Sequence, residues 1–331
     1  SYLSLHEKLI HTCVIPSYQS LSEKLSALKG SGKNDRGLAG FPDGTAYYHY
    51  LIQSQVGDFR SVKEIEERLF TQLALDYRQM QTLLSQNPSL AQNLSVFSLS
   101  ATPKEMLSYL SKAMRTDFPD LDSPKYEVKY VPESMEEFSS PAFYLTPPAD
   151  TLSPNTIYIN RSSQVNPAEL FTTLAHEGFP GHLYQTLYYG NQNPAPIRNL
   201  LGCSGYIEGW ATYVESISYG YAASYFKVEP ELLQLLWQNR SISLCLYSLL
   251  DIKIHEYGWT LAQVTQSLHG FGIASDDTCK EIYQYIIENP ANYLKYYLGY
   301  LNFMDLRDLA EKKAGDEFDK KEFHRFILET G

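Results

Sequence analysis

The chain of 331 residues has no run of eighteen apolar residues, no stretch of five like charges, no C-x-x-C pair and no internal repeat. The first absence argues against a membrane-spanning helix, and the second against a charged tail or a membrane-binding patch. The four cysteines (Cys13, Cys203, Cys245, Cys279) are too scattered for a cysteine zinc site and leave the redox compartment open. Basic residues are the scarcer charge, 27 against 38 acidic, for a formal net charge of -11. A nucleic-acid partner, which needs clustered Lys and Arg, is therefore not expected. The first residues, SYLSLHEK, include neither a methionine nor a signal-peptide pattern. They suit a mature or trimmed part of a longer chain, exported or surface-attached, with its signal removed.

What is present is a globular composition, 44% apolar and 20% charged, with 27 tyrosines. Tyrosine combines an apolar ring with a hydroxyl that seeks a partner, which suits packed interfaces and polar-lined clefts.

Helical periodicity dominates. It predicts helices near 61–86 and 102–116, then over 166–178, 182–190, 203–224, 229–257, 259–269, 275–288, 291–314 and 319–329. Residues 1–28 share the pattern, with an interruption expected at Pro16. Between the two helical regions, KYEVKYV (125–131), AFYLTPP (142–148) and TIYINR (156–161) read as short strands of one small sheet. The expected fold class is mainly α (α+β), a helical body with a small sheet beside the histidine helix. The expected division is an N-terminal helical region, 1–120, packed on a core of 121–331, the two able to form one continuous domain.

The histidine helix has a well-marked start, with Asn166 as N-cap, Pro167 at the first position and Glu169 completing a capping box. Near its end stands LAHEGFPGHLY (174–184). In H-E-x-x-H the two imidazoles share a helix face. Here the second histidine, His182, comes six residues after His176, about 240° away on an unbroken helix. A break over Gly178–Gly181 would bring it back, and the Gly and Pro content suits one. Spacing alone leaves a second reading open, a buried histidine beside an unrelated helix start. Glu177 continues the Leu170–Leu174 stripe, and a carboxylate on a buried face requires a partner or a polar cavity.

The segment YIEGWATYVES (206–216) shifts the balance. Glu208, Thr212 and Glu215 fall on one face of a helix otherwise apolar. Two histidines and a carboxylate, with one position open, make the ligand set of a catalytic zinc. Glu215 could orient a ligating histidine through its second ring nitrogen.

HEGFPGH followed by EGWATYVE resembles a bacterial family, domain of unknown function 885, whose members are regarded as zinc peptidases. The second segment is similar to the glutamate-zincin aminopeptidases, in which E-G-x-x-x-Y-x-E carries the third zinc ligand in its first glutamate. The stretches FPDGTAYYHYL (41–51), FYLTPPADTLSPNTIYIN (143–160), DIKIHEYGWT (251–260) and NPANYLKYYLG (289–299) also fit the first family. Its longer members place this chain as the C-terminal part. Ala291, Asn292 and Tyr297 depart from the family's Pro-Gly-Gln and following lysine.

The resemblance implies a zincin-like fold, one zinc ion held by His176, His182 and Glu208, and a peptide as substrate. Glu177 is then the expected general base. Tyr296 and His255 are candidate oxyanion donors, with aromatic core and structural histidine as the competing readings. Glu215, Arg240, Asp251 and Tyr213, the motif's tyrosine, are candidates for orienting ligands or contacting substrate. Arg240, Leu244, Tyr247, Asp251 and His255 form a stripe that suits a cleft wall. Residues 156–160 are the expected strand for pairing with the substrate backbone. A hydrolase of non-peptide amides or esters, or a binding module without catalysis, would use the same scaffold.

Overall fold

The computed structural model describes residues 2–92, 97, 101–122, 124–162 and 165–331. Its helices are α1 (Tyr2–Leu9), α2 (Ile15–Ala27), α3 (Gly44–Leu51), α4 (Val62–Gln86), α5 (Pro103–Ala113), α6 (Pro167–Glu177) and α7 (His182–Gly190), followed by α8 (Ser204–Phe226), α9 (Pro230–His255), α10 (Leu261–Gly270), α11 (Asp276–Glu288), α12 (Asn292–Ala314) and α13 (Lys320–Thr330). Strands β1 (Glu127–Tyr130), β2 (Ala142–Leu145) and β3 (Thr156–Ile159) form one sheet. The fold is mainly α with this single small sheet, as the sequence pattern predicts.

Local chemistry sets many helix starts. Ser61 and Thr102 form reciprocal capping boxes with Glu64 and Glu105, which satisfy backbone donors that a first turn leaves unpaired. Asn166 accepts the Glu169 N–H, and Pro167 occupies the first helical position, where its missing donor costs nothing. The interruption expected at Pro16 takes another form. A π turn over Ile10–Val14 links α1 to α2, and Pro16 sits in the first turn of α2, where it is tolerated.

The main core draws Leu69, Leu107 and Phe118 together with Leu174, Trp210, Leu298 and Leu328, so residues on both sides of position 120 share it. A smaller cluster, including Ile254, Leu268, Cys279 and Ile286, joins α9 to α10 and α11. Helix α8 is buried on nearly all sides along its middle, from Gly209 to Glu215, as expected of a helix apolar all round. Helices α1 and α2 contribute no buried residue.

The sheet order is β1-β3-β2, with β1 parallel and β2 antiparallel to β3. Both edges of β3 are therefore occupied. This corrects the expected role of 156–160: a strand paired on both sides has no backbone donors left for a substrate. The open edge nearest α6 belongs to β2.

Candidate metal centre

Helix α6 ends at Glu177 and α7 begins at His182. Gly178 leaves helical geometry (φ −112°, ψ −92°), and Gly181 is neither helical nor extended (φ −80°, ψ −137°). The Gly181 N–H donates to Ala175 O at 2.9 Å, and the Tyr184 N–H to Gly178 O at 3.2 Å, which folds the turn back on the helix it leaves. A Cβ at Gly181 would lie 1.7 Å from the His176 carbonyl oxygen, so no other residue fits this turn. The Trp210 indole N–H donates to Pro180 O at 3.0 Å and ties the turn to α8. The two looped residues return His182 to His176, with ring centroids 4.8 Å apart and planes at 86°.

Helix α8 delivers the carboxylates. Glu208 Oε2 lies 3.6 Å from His176 Nε2 and 3.3 Å from His182 Nε2. One residue further on, α8 crosses α12 through glycines. A Cβ on Gly209 would stand 2.5 Å from the Gly299 carbonyl carbon. This contact brings Tyr296, one turn before Gly299, to the site, where its ring centroid is 6.1 Å from that of His176. Glu215 closes the far side. Its Oε2 accepts from His176 Nδ1 at 3.2 Å and its Oε1 from Arg240 Nε at 3.1 Å.

Glu177 is placed by the sheet. Its Oε2 accepts the Tyr144 N–H of β2 at 2.9 Å. That donor points away from β3, so the open edge of β2 faces the histidines. Ligand atoms of His176, Glu177 and His182 lie within 4.8 Å of one another. Two imidazoles and the carboxylates of Glu177 and Glu208 thus converge on one small volume.

The electrostatics call for added positive charge. Burial alone would depress the His176 imidazole, yet the carboxylates of Glu208, Glu215 and Glu177 outweigh it and push it up to about 10. Burial would raise Glu208, but the two imidazoles hold it well below the usual carboxylate range. Glu215 is likewise lowered against its burial, by the Arg240 charge and by His176. Burial, reinforced by the charges of Glu208 and Glu177, raises the Tyr296 hydroxyl above its ordinary value. Glu208 Oε2 is buried and has no hydrogen-bond partner among the described residues, despite the two nearby Nε2 atoms. A buried carboxylate oxygen that forms no hydrogen bond with the two imidazoles flanking it leaves nitrogen and oxygen donors turned to one point, a set that fits a divalent ion bound by such ligands.

Three expected residues lie elsewhere. His255 is 0% exposed, and both ring nitrogens are engaged by backbone: Nδ1 accepts the Leu38 N–H at 3.1 Å and Nε2 donates to Ile286 O at 3.0 Å. No donor remains for an oxyanion. Asp251, also 0% exposed, accepts from the Tyr48 hydroxyl at 2.5 Å and from the Ala291 N–H at 3.1 Å, so it anchors the start of α12 rather than touching a substrate. Of the expected cleft stripe on α9, then, Arg240 is exposed, Tyr247 is half-buried, Leu244 is buried, and the last turn is covered by α3 and the turn at Gly37–Gly40. Tyr213 is the third correction. It is 0% exposed and its hydroxyl donates to His324 Nε2 at 2.9 Å, on the side of α8 that faces α13. Five helical steps put it about 140° from Glu208.

Two features were not read from sequence. The Tyr144 N–H on Glu177 pairs groups 33 residues apart in the chain, and no local pattern in AFYL carries that pairing. Ala291 has φ +62°, a left-handed conformation that favours glycine. The departure from Pro-Gly-Gln at this position carried that signal.

A helical body with one small sheet, and a His/Glu cluster suited to a cation, define a class of protein. The chain belongs to the family described as bacterial protein of unknown function (DUF885), whose model matches residues 5–331. A crystal structure from Colwellia psychrerythraea, of a protein provisionally termed a lipoprotein, is similar with a TM-score of 0.82 at 23% identity. The match covers 97% of this chain and 58% of that one. A second, from Shewanella oneidensis, provisionally a lipoprotein of unknown function, has a TM-score of 0.71 at 17% identity, covering 95% of this chain and 61% of that one. At these identities the likeness concerns the fold, and the chain spans about three fifths of each protein's length. No curated protein matches the sequence. Among the described residues, no helix is long and apolar enough to cross a membrane.

Proposed function

We propose that this chain is a zinc-dependent peptidase, with His176, His182 and Glu208 as the metal ligands. The observation that carries the reading is the buried, unpartnered Oε2 of Glu208 lying 3.6 and 3.3 Å from two histidine nitrogens. When bound, zinc would polarise the scissile carbonyl and make a water molecule more acidic. Glu177 takes the proton of that water and passes it to the leaving amine. The Tyr144 N–H fixes its Oε2, which leaves Oε1 to face the reacting water. The Tyr296 hydroxyl, kept protonated by burial and by the neighbouring acids, donates to the oxyanion. Glu215 holds His176 by its Nδ1 proton, so that Nε2 presents its lone pair.

Strand β2 takes the place first expected for 156–160. Its open edge adjoins Glu177, and a substrate backbone pairing there would lie across the site. The lipoprotein names of the two similar structures support a location outside the cytoplasm.

Zinc analysis of purified variants tests the ligand set. We expect about one zinc per chain in the parent and in Glu177→Gln, with loss in His182→Ala and Glu208→Gln. Undiminished zinc in the last two overturns the assignment. Loss in Glu177→Gln with retention in Glu208→Gln would make His176, Glu177 and His182 the ligands instead.

A further inference from the structure

Arg240 holds Glu215 by its Nε alone, at 3.1 Å. Its two terminal nitrogens have no partner among the described residues, and its side chain is 47% exposed. An arginine that serves only to fix a carboxylate does so best with two parallel bonds. Here the outer end of the fork stays open to solvent, separated from His176 only by the carboxylate of Glu215. Five donors in a rigid plane make a free guanidinium a receptor for planar oxyanions.

A wall of tyrosines runs from this guanidinium towards the histidines. The Arg240 charge acts on the hydroxyls of Tyr247 and Tyr293, whose ring centroids are 5.0 Å apart. Tyr285 packs on Tyr293 at 5.6 Å. Tyr293 lies one turn before Tyr296, which faces His176. Of the acids nearby, Glu215 is held by His176 and Arg240 and Glu177 by the Tyr144 N–H, Glu208 lies between the imidazoles, and Glu169 is exposed within reach of the Arg240 charge. Arg240 is thus a cation beside the site with donors to spare.

We propose that Arg240 receives the free C-terminal carboxylate of a short peptide, so that the site trims peptides from their C-terminal end. This rests on the peptidase reading and names its substrate class. A substrate carboxylate meets the open fork of Arg240, with tyrosine hydroxyls at its flank.

The test uses one peptide series in two forms, C-terminal free acid and C-terminal amide, with the zinc-loaded protein and Arg240→Ala. The parent should prefer the acid in kcat/KM by about tenfold or more, and Arg240→Ala should bring that ratio close to unity. The ratio is insensitive to any general loss of rate caused by a disturbed Glu215. A parent ratio near unity, or an unchanged preference in Arg240→Ala, overturns the proposal while leaving the peptidase reading in place. Hydrolysis of neither form defeats the peptidase reading itself. Calorimetric binding of the same acid and amide to Glu177→Gln, with and without Arg240→Ala, then decides the carboxylate site separately. Tighter acid binding that disappears with Arg240→Ala supports it; equal or absent binding of the two forms overturns it.

Discussion

His176 Nδ1 donates to Glu215 Oε2 at 3.2 Å, while Glu215 Oε1 accepts from Arg240 at 3.1 Å, so one buried carboxylate bridges the histidine and an exposed cation. The bridge fixes both the tautomer and the orientation of His176. Glu215→Ala should therefore weaken zinc binding about 10–100-fold while leaving the three ligands in place. Competition with a chromogenic chelator would measure this, with circular dichroism as the check on folding. Zinc affinity equal to the parent's would show that Glu215 does not orient the ligand.

The crossing of α8 and α12 leaves no room for a side chain at Gly209, whose Cβ would stand 2.5 Å from the Gly299 carbonyl carbon. Gly209→Val should cost about 1–3 kcal/mol through overpacking, and should lower zinc affinity because Glu208 adjoins the displaced contact. Gly220, on the same helix, has nothing within 4 Å of its added Cβ. Gly220→Ala should stabilise by up to about 1 kcal/mol. Urea unfolding of both variants distinguishes a packing requirement from a general intolerance of α8.

Adjacent tyrosines on α12 should separate chemistry from stability. Tyr296 faces the histidines, whereas the Tyr297 hydroxyl is buried between Ser241 Oγ at 2.7 Å and Asp76 Oδ2 at 3.1 Å. Tyr296→Phe should lower kcat about 10–1000-fold with zinc content unchanged. Tyr297→Phe should leave kcat nearly intact and cost about 1–3 kcal/mol of stability by stranding buried partners. Steady-state kinetics alongside denaturation resolves the two, and a reversed pattern would remove Tyr296 from the mechanism.

His324 supplies a pH dependence away from the candidate metal centre. It is 0% exposed; Nδ1 donates to Asp117 O at 2.6 Å and Nε2 accepts from Tyr213. Burial is the main cause that pushes it down to about 4, and this outweighs the favourable Asp117 carbonyl. Between that value and the ordinary ~6.5 of an unfolded histidine, the unfolded chain binds more protons than the native one. Stability therefore falls as pH drops through this window, by about 1–3 kcal/mol from this residue. Urea midpoints measured from pH 7.5 to 4.5 should show a shallower decline in His324→Gln than in the parent. Parallel curves would mean that His324 titrates normally.

Much of the local structure was legible in sequence because it depends on neighbours in the chain. Asn166, Pro167 and Glu169 mark the start of α6 by capping chemistry that spans four residues. The break between His176 and His182 follows from Gly178 and Gly181, whose backbone angles a helix does not allow. Short runs of β-favouring residues bounded by Pro, Ser and Asp announced the strands at AFYL and TIYI, although not which of them would be central. The stripe on α9 showed a face with polar residues, but a stripe does not say what covers it. Tyr48 and the Gly37–Gly40 turn, some 200 residues earlier, bury Asp251 and His255.

The sequence by itself determined the helical body, the one small sheet, the break in the histidine helix and the spacing of Glu208 and Glu215. Each is set by periodicity, capping or backbone freedom over a few residues. Only the tertiary structure decided that Glu208 meets both imidazoles, that β2 offers its open edge to Glu177, that Tyr213, Asp251 and His255 turn away from the site, and that Arg240 keeps the end of its guanidinium free. Those outcomes depend on which surfaces pack together, as at the Gly209–Gly299 crossing, and a helix's own period carries no record of its partner.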